Sequence, residues 1–192
     1  PGALHQVLRF FEQQPAVDVV FGDALVVDAA GRYICHRQTL VPCLHHTVAC
    51  HLGVFTCATF FRRRLVEQGF LFDTGFRATG DADWVIRCLQ AKVLMAHLPE
   101  WLSVFTDTGS NLGFTATTTQ EMARIQKRFP AWWTSARLAW AAAHRFRRWR
   151  AGYYRPKPVR YEIYTLSRPD HRTAFDVTSP TFLWSERFRL SG

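Results

Sequence analysis

The chain has 192 residues, of which 48% are hydrophobic and 20% charged, and its formal net charge is +9. This composition, without a long apolar run or a signal-peptide pattern, is typical of one folded domain with an appendage and excludes a disordered or membrane-spanning chain. The excess of positive charge favours an anionic partner, which could be nucleic acid, an anionic membrane surface or a phosphate-bearing substrate.

The first elements predict an α/β domain. Apolar residues at helical spacing predict a helix over residues 3–13. Two apolar runs, residues 17–21 and 24–27, predict strands separated by a Gly-Asp pair. Residues 28–31 then have turn chemistry, and residues 32–36 are predicted to return as the second arm of a hairpin. A helix that leads into a buried strand and a hairpin is typical of the α/β class.

Histidines and cysteines gather around residues 40–57, namely His45, His46, His51, Cys43, Cys50 and Cys57. A metal site is one interpretation, but there is no Cys-x-x-Cys pair and the intervals are irregular, which favours a polar, partly buried loop. The five cysteines of the chain have no disulfide-scaffold spacing, so we expect reduced thiols and a cytoplasmic location. Residues 57–61 predict a strand, and residues 65–68 a helix that stops at Gly69.

Asp81 belongs to the most informative segment, Gly-Asp-Ala-Asp-Trp-Val-Ile-Arg over residues 80–87. The segment follows a loop and begins an amphipathic helix predicted over residues 81–91. Helix starts favour negative charge through their free N–H groups and the macrodipole, so a carboxylate here can meet a substrate and act as a base. The alternative is that Asp81 only caps the helix, as most Asp residues at helix starts do.

The remaining pattern predicts two further strands, a long helix and a tail. Residues 93–99 and 101–106 predict the strands, the first of them ended by proline, and residues 107–111 a loop that ends the second strand or closes over a polar ligand. Residues 119–150 are helical, with a break at Pro130. The second half combines tryptophans with arginines, which is typical either of a helix on a membrane interface or of a helix packed on its own domain with a solvated basic face.

Four stretches in a fixed order resemble the second half of a family 2 glycosyltransferase with the GT-A fold. They are Val-Asp-Val-Val-Phe-Gly-Asp with the following hairpin (17–32), Ala-Thr-Phe-Phe-Arg-Arg (58–63), Gly-Phe-Leu-Phe-Asp (69–73) and the segment 80–87. The resemblance implies the acceptor-side half of the α/β, mixed-sheet fold of nucleotide-diphospho-sugar transferases over residues 1–115. A basic, aromatic amphipathic helix over 116–151 and an extended tail over 152–192, packed on the domain, complete the expected organisation.

The resemblance implies inverting transfer of a sugar from a nucleotide-diphosphate donor to an acceptor hydroxyl, in polysaccharide or glycoconjugate synthesis. Asp81 falls on the position of the family's catalytic base, with Gly80 in place of the commoner Glu. Five residues are candidates for substrate binding: Asp83, Trp84, Thr56, Thr59 and His46. Among these, a helix cap is the favoured role for Asp83 and a core position for Trp84, while His46 is the weakest candidate.

Other components are expected outside this chain. A divalent metal, Mg or Mn, would be held by an Asp-x-Asp motif in an amino-terminal half before Pro1, so the 192 residues alone are expected to be inactive. The acceptor would be a saccharide or a lipid-linked sugar, the enzyme would lie at the cytoplasmic face of a membrane, and no nucleic acid is expected. Two alternatives remain: a noncatalytic basic module that binds nucleic acid or another anionic polymer, and an interaction domain whose Trp-rich helix binds a partner helix.

Overall fold

The computed structural model describes residues 2–108 and 115–184, with α-helices and β-strands mixed along the chain. The elements are α1 (Ala3–Gln13), β1 (Val19–Val27), β2 (Tyr33–Arg37), α2 (Leu44–Ala49), a 3-10 turn (Thr56–Ala58), β3 (Thr59–Phe61), α3 (Arg63–Glu67), α4 (Gly80–Gln90), β4 (Met95–Thr106), α5 (Ala116–Gln126), α6 (Ala131–Ser135), α7 (Arg137–Arg150), β5 (Val159–Thr165) and β6 (Arg168–Val177). The α/β class is confirmed. Within the described ranges, every helix is too short or too polar to cross a bilayer.

The main sheet is mixed and is built around β1, which is buried along its whole length. On one edge, β4 pairs with β1 in parallel. On the other edge, two short strands pair with β1 in antiparallel orientation. The first of them, β3, pairs with residues 19–21 of β1, and β2 pairs with residues 24–27. The predicted hairpin between β1 and β2 is confirmed, and Gly31 in its turn has a φ of 84°, which a glycine adopts without strain.

The prediction of two strands separated by Gly22 and Asp23 is wrong, because β1 runs straight through this pair. A Cβ atom on Gly22 would lie 2.3 Å from Leu102 Cδ1. Because glycine has no side chain, the Leu102 side chain of β4 can pack directly against the backbone of β1 at this position. Asp23 is buried in the strand, where its Oδ1 accepts hydrogen bonds from Thr39 N (2.8 Å) and lies 2.8 Å from His97 Nε2. Gly22 therefore permits close packing of β4 on β1, and Asp23 belongs to a buried polar network.

The two strands predicted over 93–99 and 101–106 are likewise one strand, β4. Its pairing with β1 is interrupted between His97, which pairs with Phe21, and Trp101, which pairs with Asp23. Two more residues lie between these partners on β4 than on β1, so this part of β4 bulges. Pro99 lies inside the bulge, where its missing N–H removes no ladder hydrogen bond.

The helices cover the sheet and each other. Alternate residues of β1 point to opposite faces, so Val19 and Phe21 pack against Trp84 of α4, while Val20 packs against Val7 of α1. A second layer joins α2, α4 and α5 through four buried side chains, Val48, Phe76, Ile86 and Ile125. The predicted break at Pro130 is confirmed, because Pro130 precedes the first residue of α6.

The segment after Gly152, expected as an extended tail, contains an antiparallel hairpin of β5 and β6. The hairpin lies against the carboxyl end of β1, where Val159 and Tyr161 are buried with Leu25 and Val27. The Tyr161 hydroxyl donates a hydrogen bond to Gly31 O (2.8 Å), which joins the hairpin to the turn between β1 and β2. The last described residue, Trp184, is buried against Val26 and Cys35.

Candidate functional site

The start of α4 presents the Asp81 carboxylate at a partly exposed position. The N-cap residue is Thr79 rather than Asp81, which lies in the first helical turn. Asp81 Oδ1 accepts a hydrogen bond from Ala82 N (2.8 Å), and Oδ2 accepts one from the Thr56 hydroxyl (2.7 Å). Because each carboxylate oxygen has two lone pairs, both oxygens can still accept a further hydrogen bond.

Asp81 lies at the edge of a pocket of about 180 Å³. Two further polar residues line this pocket, Thr56 and Thr59; the Thr59 hydroxyl donates to Phe55 O (2.8 Å). The other lining residues are apolar or aromatic: Leu52, Val54, Phe61, Phe72, Trp84 and Val85. A mainly apolar pocket with a few convergent polar groups is the usual form of a small-molecule site.

One wall of the pocket is aromatic. Trp84 is 1% exposed and belongs to the core, as the sequence favours, and it is also one of the residues that line the pocket. Its Nε1 donates a hydrogen bond to Phe70 O (2.9 Å), which fixes the ring plane. The exposed Phe72 stacks on Trp84 with 5.4 Å between ring centroids and an interplanar angle of 20°. An aromatic face of this kind can pack against the apolar face of a sugar ring.

Glu121 of α5 fixes the loop that leads into α4. Its carboxylate accepts hydrogen bonds from three consecutive backbone N–H groups, those of Arg77 (2.7 Å), Ala78 (3.0 Å) and Thr79 (2.9 Å), and from the Thr79 hydroxyl (3.0 Å). Burial raises the pKa of Glu121, but these four hydrogen bonds outweigh it and lower the pKa to about 2. The helix start that carries Asp81 is thus capped by a charged group from another helix.

Asp83 does not line the pocket. It is 1% exposed, and its two carboxylate oxygens pair with Arg87 Nε (2.8 Å) and with Arg128 Nη2 (2.5 Å). Arg128 follows α5, so Asp83 joins α4 to the same helix that supplies Glu121. The helix cap favoured for Asp83 is therefore wrong, because Thr79 is the N-cap residue of α4 and both oxygens of Asp83 are paired with arginines. A contact of Asp83 with substrate stays a prediction.

His46 lies away from the lining of the Asp81 pocket, within a cluster of imidazoles. It is 5% exposed and stacks on His144 of α7, with 4.1 Å between ring centroids, and His51 meets it edge-on at 4.8 Å. Burial, with the neighbouring imidazoles and Arg147, lowers the pKa of His46 to about 3. This neutral, stacked histidine joins α2 to α7. The structure does not bring it together with Asp81, and its contact with substrate stays a prediction.

The described residues do not fit a metal ion. Nowhere in residues 2–108 and 115–184 do three His, Cys, Asp or Glu side chains form a group that could hold one. All five cysteines are free thiols. The Asp-x-Asp spacing of Asp81 and Asp83 does not form a pair of ligands, because Asp83 is buried between its two arginines.

A larger pocket, of about 480 Å³, lies between the carboxyl end of β1 and the β5–β6 hairpin. Among the described residues of its lining, Asp28 is the one acidic residue, and its oxygens already accept hydrogen bonds from Ala30 N, Arg32 N and Arg32 Nε. Thr108 borders this pocket at the start of the predicted 107–111 loop, whose later residues lie outside the described ranges. The Asp81 pocket is the better candidate because both oxygens of its carboxylate keep acceptor capacity and Asp81 forms no salt bridge among the described residues, whereas Asp28 is paired with Arg32.

Sequence reasoning missed Glu121 and Arg128. Glu121 lies on α5 and Arg128 just after it, and the sequence of this helix gives no sign beyond the polar residues of an ordinary exposed face. The hydrogen-bond partners of both residues are more than forty residues away. No local motif marks such a contact. A longer-range argument could have found Glu121, since the predicted start of α4 left backbone N–H groups without an acceptor.

Comparison of the chain with protein-family models, with curated proteins and with solved structures gave no match.

Proposed function

We propose that this chain is the acceptor-side part of an inverting glycosyltransferase with a GT-A fold, and that Asp81 is its catalytic base. The observation that carries the proposal is the position of Asp81: a carboxylate on the first turn of α4 that lines a pocket together with two threonines and three aromatic residues. The ordered motifs of the sequence, from the β1–β2 hairpin to residues 80–87, add the resemblance to family 2.

In the proposed reaction, Asp81 accepts the proton of an acceptor hydroxyl while that oxygen forms a bond to the anomeric carbon of the donor sugar. The bond from this carbon to the diphosphate breaks on the opposite face, and the diphosphate leaves with the electron pair, so the configuration inverts. Thr56 donates to one carboxylate oxygen and holds the side chain in place, which makes it a positioning residue.

The acceptor is proposed to be a saccharide or a lipid-linked sugar. The exposed ring of Phe72, backed by the buried ring of Trp84, supplies a stacking surface for one sugar ring, and Thr56 and Thr59 supply hydroxyls as hydrogen-bonding groups. The pocket is smaller than the about 300–1,000 Å³ of drug-sized sites, which favours contact with one terminal unit of the acceptor. The donor nucleotide and the divalent metal, Mg or Mn, are proposed to be held by residues outside this chain.

The test compares sugar transfer by wild type and Asp81→Asn in the intact enzyme that contains these residues, with a panel of nucleotide sugars and Mg or Mn. Loss of a general base should lower turnover by about a thousandfold. Thr56→Val should lower it less, and Thr56→Ser, which retains the hydroxyl, should restore it.

Asp176→Asn is the matched control, because Asp176 is an exposed carboxylate on β6, outside the Asp81 pocket. Its turnover should equal that of wild type. Near-normal turnover of folded Asp81→Asn would overturn the assignment of the base. It would favour the alternative function, a noncatalytic module that binds nucleic acid or another anionic polymer through its arginines.

A further inference from the structure

Positive charge is concentrated in one part of the chain. Between Glu121 and Glu162 there are eleven lysines and arginines and no acidic residue. The densest part is α7, with arginines at 137, 145, 147, 148 and 150. Such a segment attracts an anionic surface over a range of about 10 Å at moderate salt.

Two of the α7 arginines are used inside the molecule. Arg147 Nη2 donates to Val41 O (2.9 Å), and Arg148 Nη1 donates to Gln38 O (2.9 Å) and lies over the ring of Tyr153. These contacts, with the stack of His144 on His46, fix which face of α7 meets the domain. Arg145 and Arg150 are exposed on the rest of the helix, and within the described chain neither forms a salt bridge with a carboxylate.

The outward face of α7 also carries large apolar side chains. Leu138, Phe146 and Trp149 are 77%, 56% and 63% exposed. Leu138, Ala142 and Phe146 are spaced by four residues and Trp149 follows after three more, so all four lie on one side of the helix. Phe146 and Trp149 stack on each other with 5.7 Å between ring centroids. We call Leu138, Ala142, Arg145, Phe146, Trp149 and Arg150 the outer face of α7.

We propose that the outer face of α7 docks on an anionic lipid bilayer, with the helix parallel to the membrane plane. Leu138, Phe146 and Trp149 would enter the boundary between headgroups and acyl chains, while Arg145 and Arg150 pair with lipid phosphates. Charge complementarity selects the lipid, and the apolar side chains distinguish a bilayer from duplex nucleic acid, whose phosphate backbone would use the arginines alone. This docking does not depend on sugar transfer by the Asp81 site.

The experiment is flotation of the purified chain with phosphatidylcholine vesicles, with and without about one third phosphatidylglycerol, at low and high NaCl. Wild type should float with the anionic vesicles and dissociate partly in high salt. The double variant Phe146→Ala, Trp149→Ala should bind about tenfold more weakly. The double variant Arg145→Gln, Arg150→Gln should lose about fivefold for each arginine and lose its salt dependence in part.

Two exposed residues outside α7 provide matched controls. Leu166→Ala removes an apolar side chain that is 90% exposed, and Arg63→Gln removes an arginine whose side chain is 90% exposed. Both should bind vesicles as wild type does. Absence of flotation, or flotation unaffected by loss of both α7 aromatics, would overturn the proposal. So would binding of a duplex oligonucleotide that depends on Arg145 and Arg150 when vesicles are not bound.

Discussion

At the residue scale, the geometry of the candidate site depends on partners that are distant in sequence. Asp81 is held by Thr56, which lies 25 residues earlier, and the loop before Asp81 is held by Glu121, about forty residues later. The sequence identified Asp81 from its own neighbourhood, the loop and the amphipathic helix. It could not identify Glu121, because the acceptor for a helix start can come from any element that packs beside it.

Glu121→Gln is expected to lower the free energy of unfolding at neutral pH by about 1–2 kcal/mol. An amide has one acceptor oxygen in place of two and no charge, so it cannot replace all four hydrogen bonds; partial exposure limits the cost. Urea denaturation measures the change, with the exposed Glu162→Gln as the control. Equal midpoints for the two variants would show that the Glu121 contacts contribute nothing.

The effect of Glu121 on stability should also depend on pH. The ordinary pKa of 4.5 is lowered to about 2 in the folded chain. Because folding favours the ionised carboxylate, its contribution is fully present above a pH of 4.5 and is lost as the pH falls towards about 2. The difference in stability between wild type and Glu121→Gln should therefore shrink over this range. A difference that stays constant down to the lower limit would contradict the role of the charge.

At the element scale, the spacing of apolar residues predicts helices better than glycine and proline predict the ends of strands. The helix predicted over residues 3–13 matches α1, and the one over 81–91 differs from α4 by one residue at each end. The sequence pattern predicts strand ends at Gly22 and Pro99, yet each residue lies inside a strand. A glycine or proline in a strand can mark a close approach or a bulge as well as an end, and only the neighbouring strand distinguishes these cases.

The packing of α7 on α2 should weaken in mild acid. Burial, with Arg148, His51 and Arg147, lowers the pKa of His144 to about 4, and that of His46 is about 3. Both imidazoles have an ordinary pKa of 6.5, so an unfolded chain gains protons that the folded chain excludes. The stability contributed by the neutral cluster is present above 6.5 and is lost as the pH falls towards about 4.

His144→Phe keeps a ring beside His46 but cannot be protonated. The loss of stability between about pH 7.5 and about pH 5 should therefore be smaller in this variant than in wild type. Urea denaturation at the two pH values provides the measurement, and His5→Phe, at an exposed position on α1, is the control that should keep the wild-type dependence. An identical pH dependence in all three proteins would rule out the cluster as its origin.

At the scale of the whole molecule, β1 connects two regions with different tasks. Its amino end packs under α4 and the Asp81 pocket, and its carboxyl end packs under the β5–β6 hairpin. The sequence predicted the order of the first elements and the turn at Gly31, since these follow from local signals. It did not predict that a hairpin from residues 159–177 covers this turn, because burial of Leu25 and Val27 requires only an apolar partner and many segments could supply one.

If the hairpin belongs to the same cooperative unit as the sheet, Tyr161→Ala should lower the free energy of global unfolding by about 2–4 kcal/mol, since it removes a buried ring and leaves a cavity. Tyr161→Phe should cost about 1 kcal/mol, the loss of the hydrogen bond to Gly31 O. Circular dichroism and tryptophan fluorescence should follow one transition, shifted together in each variant. A small transition at low denaturant, with the midpoint of the main transition unchanged, would instead mean that the hairpin unfolds alone. It would also mean that β1 stays folded when the hairpin no longer buries Leu25 and Val27.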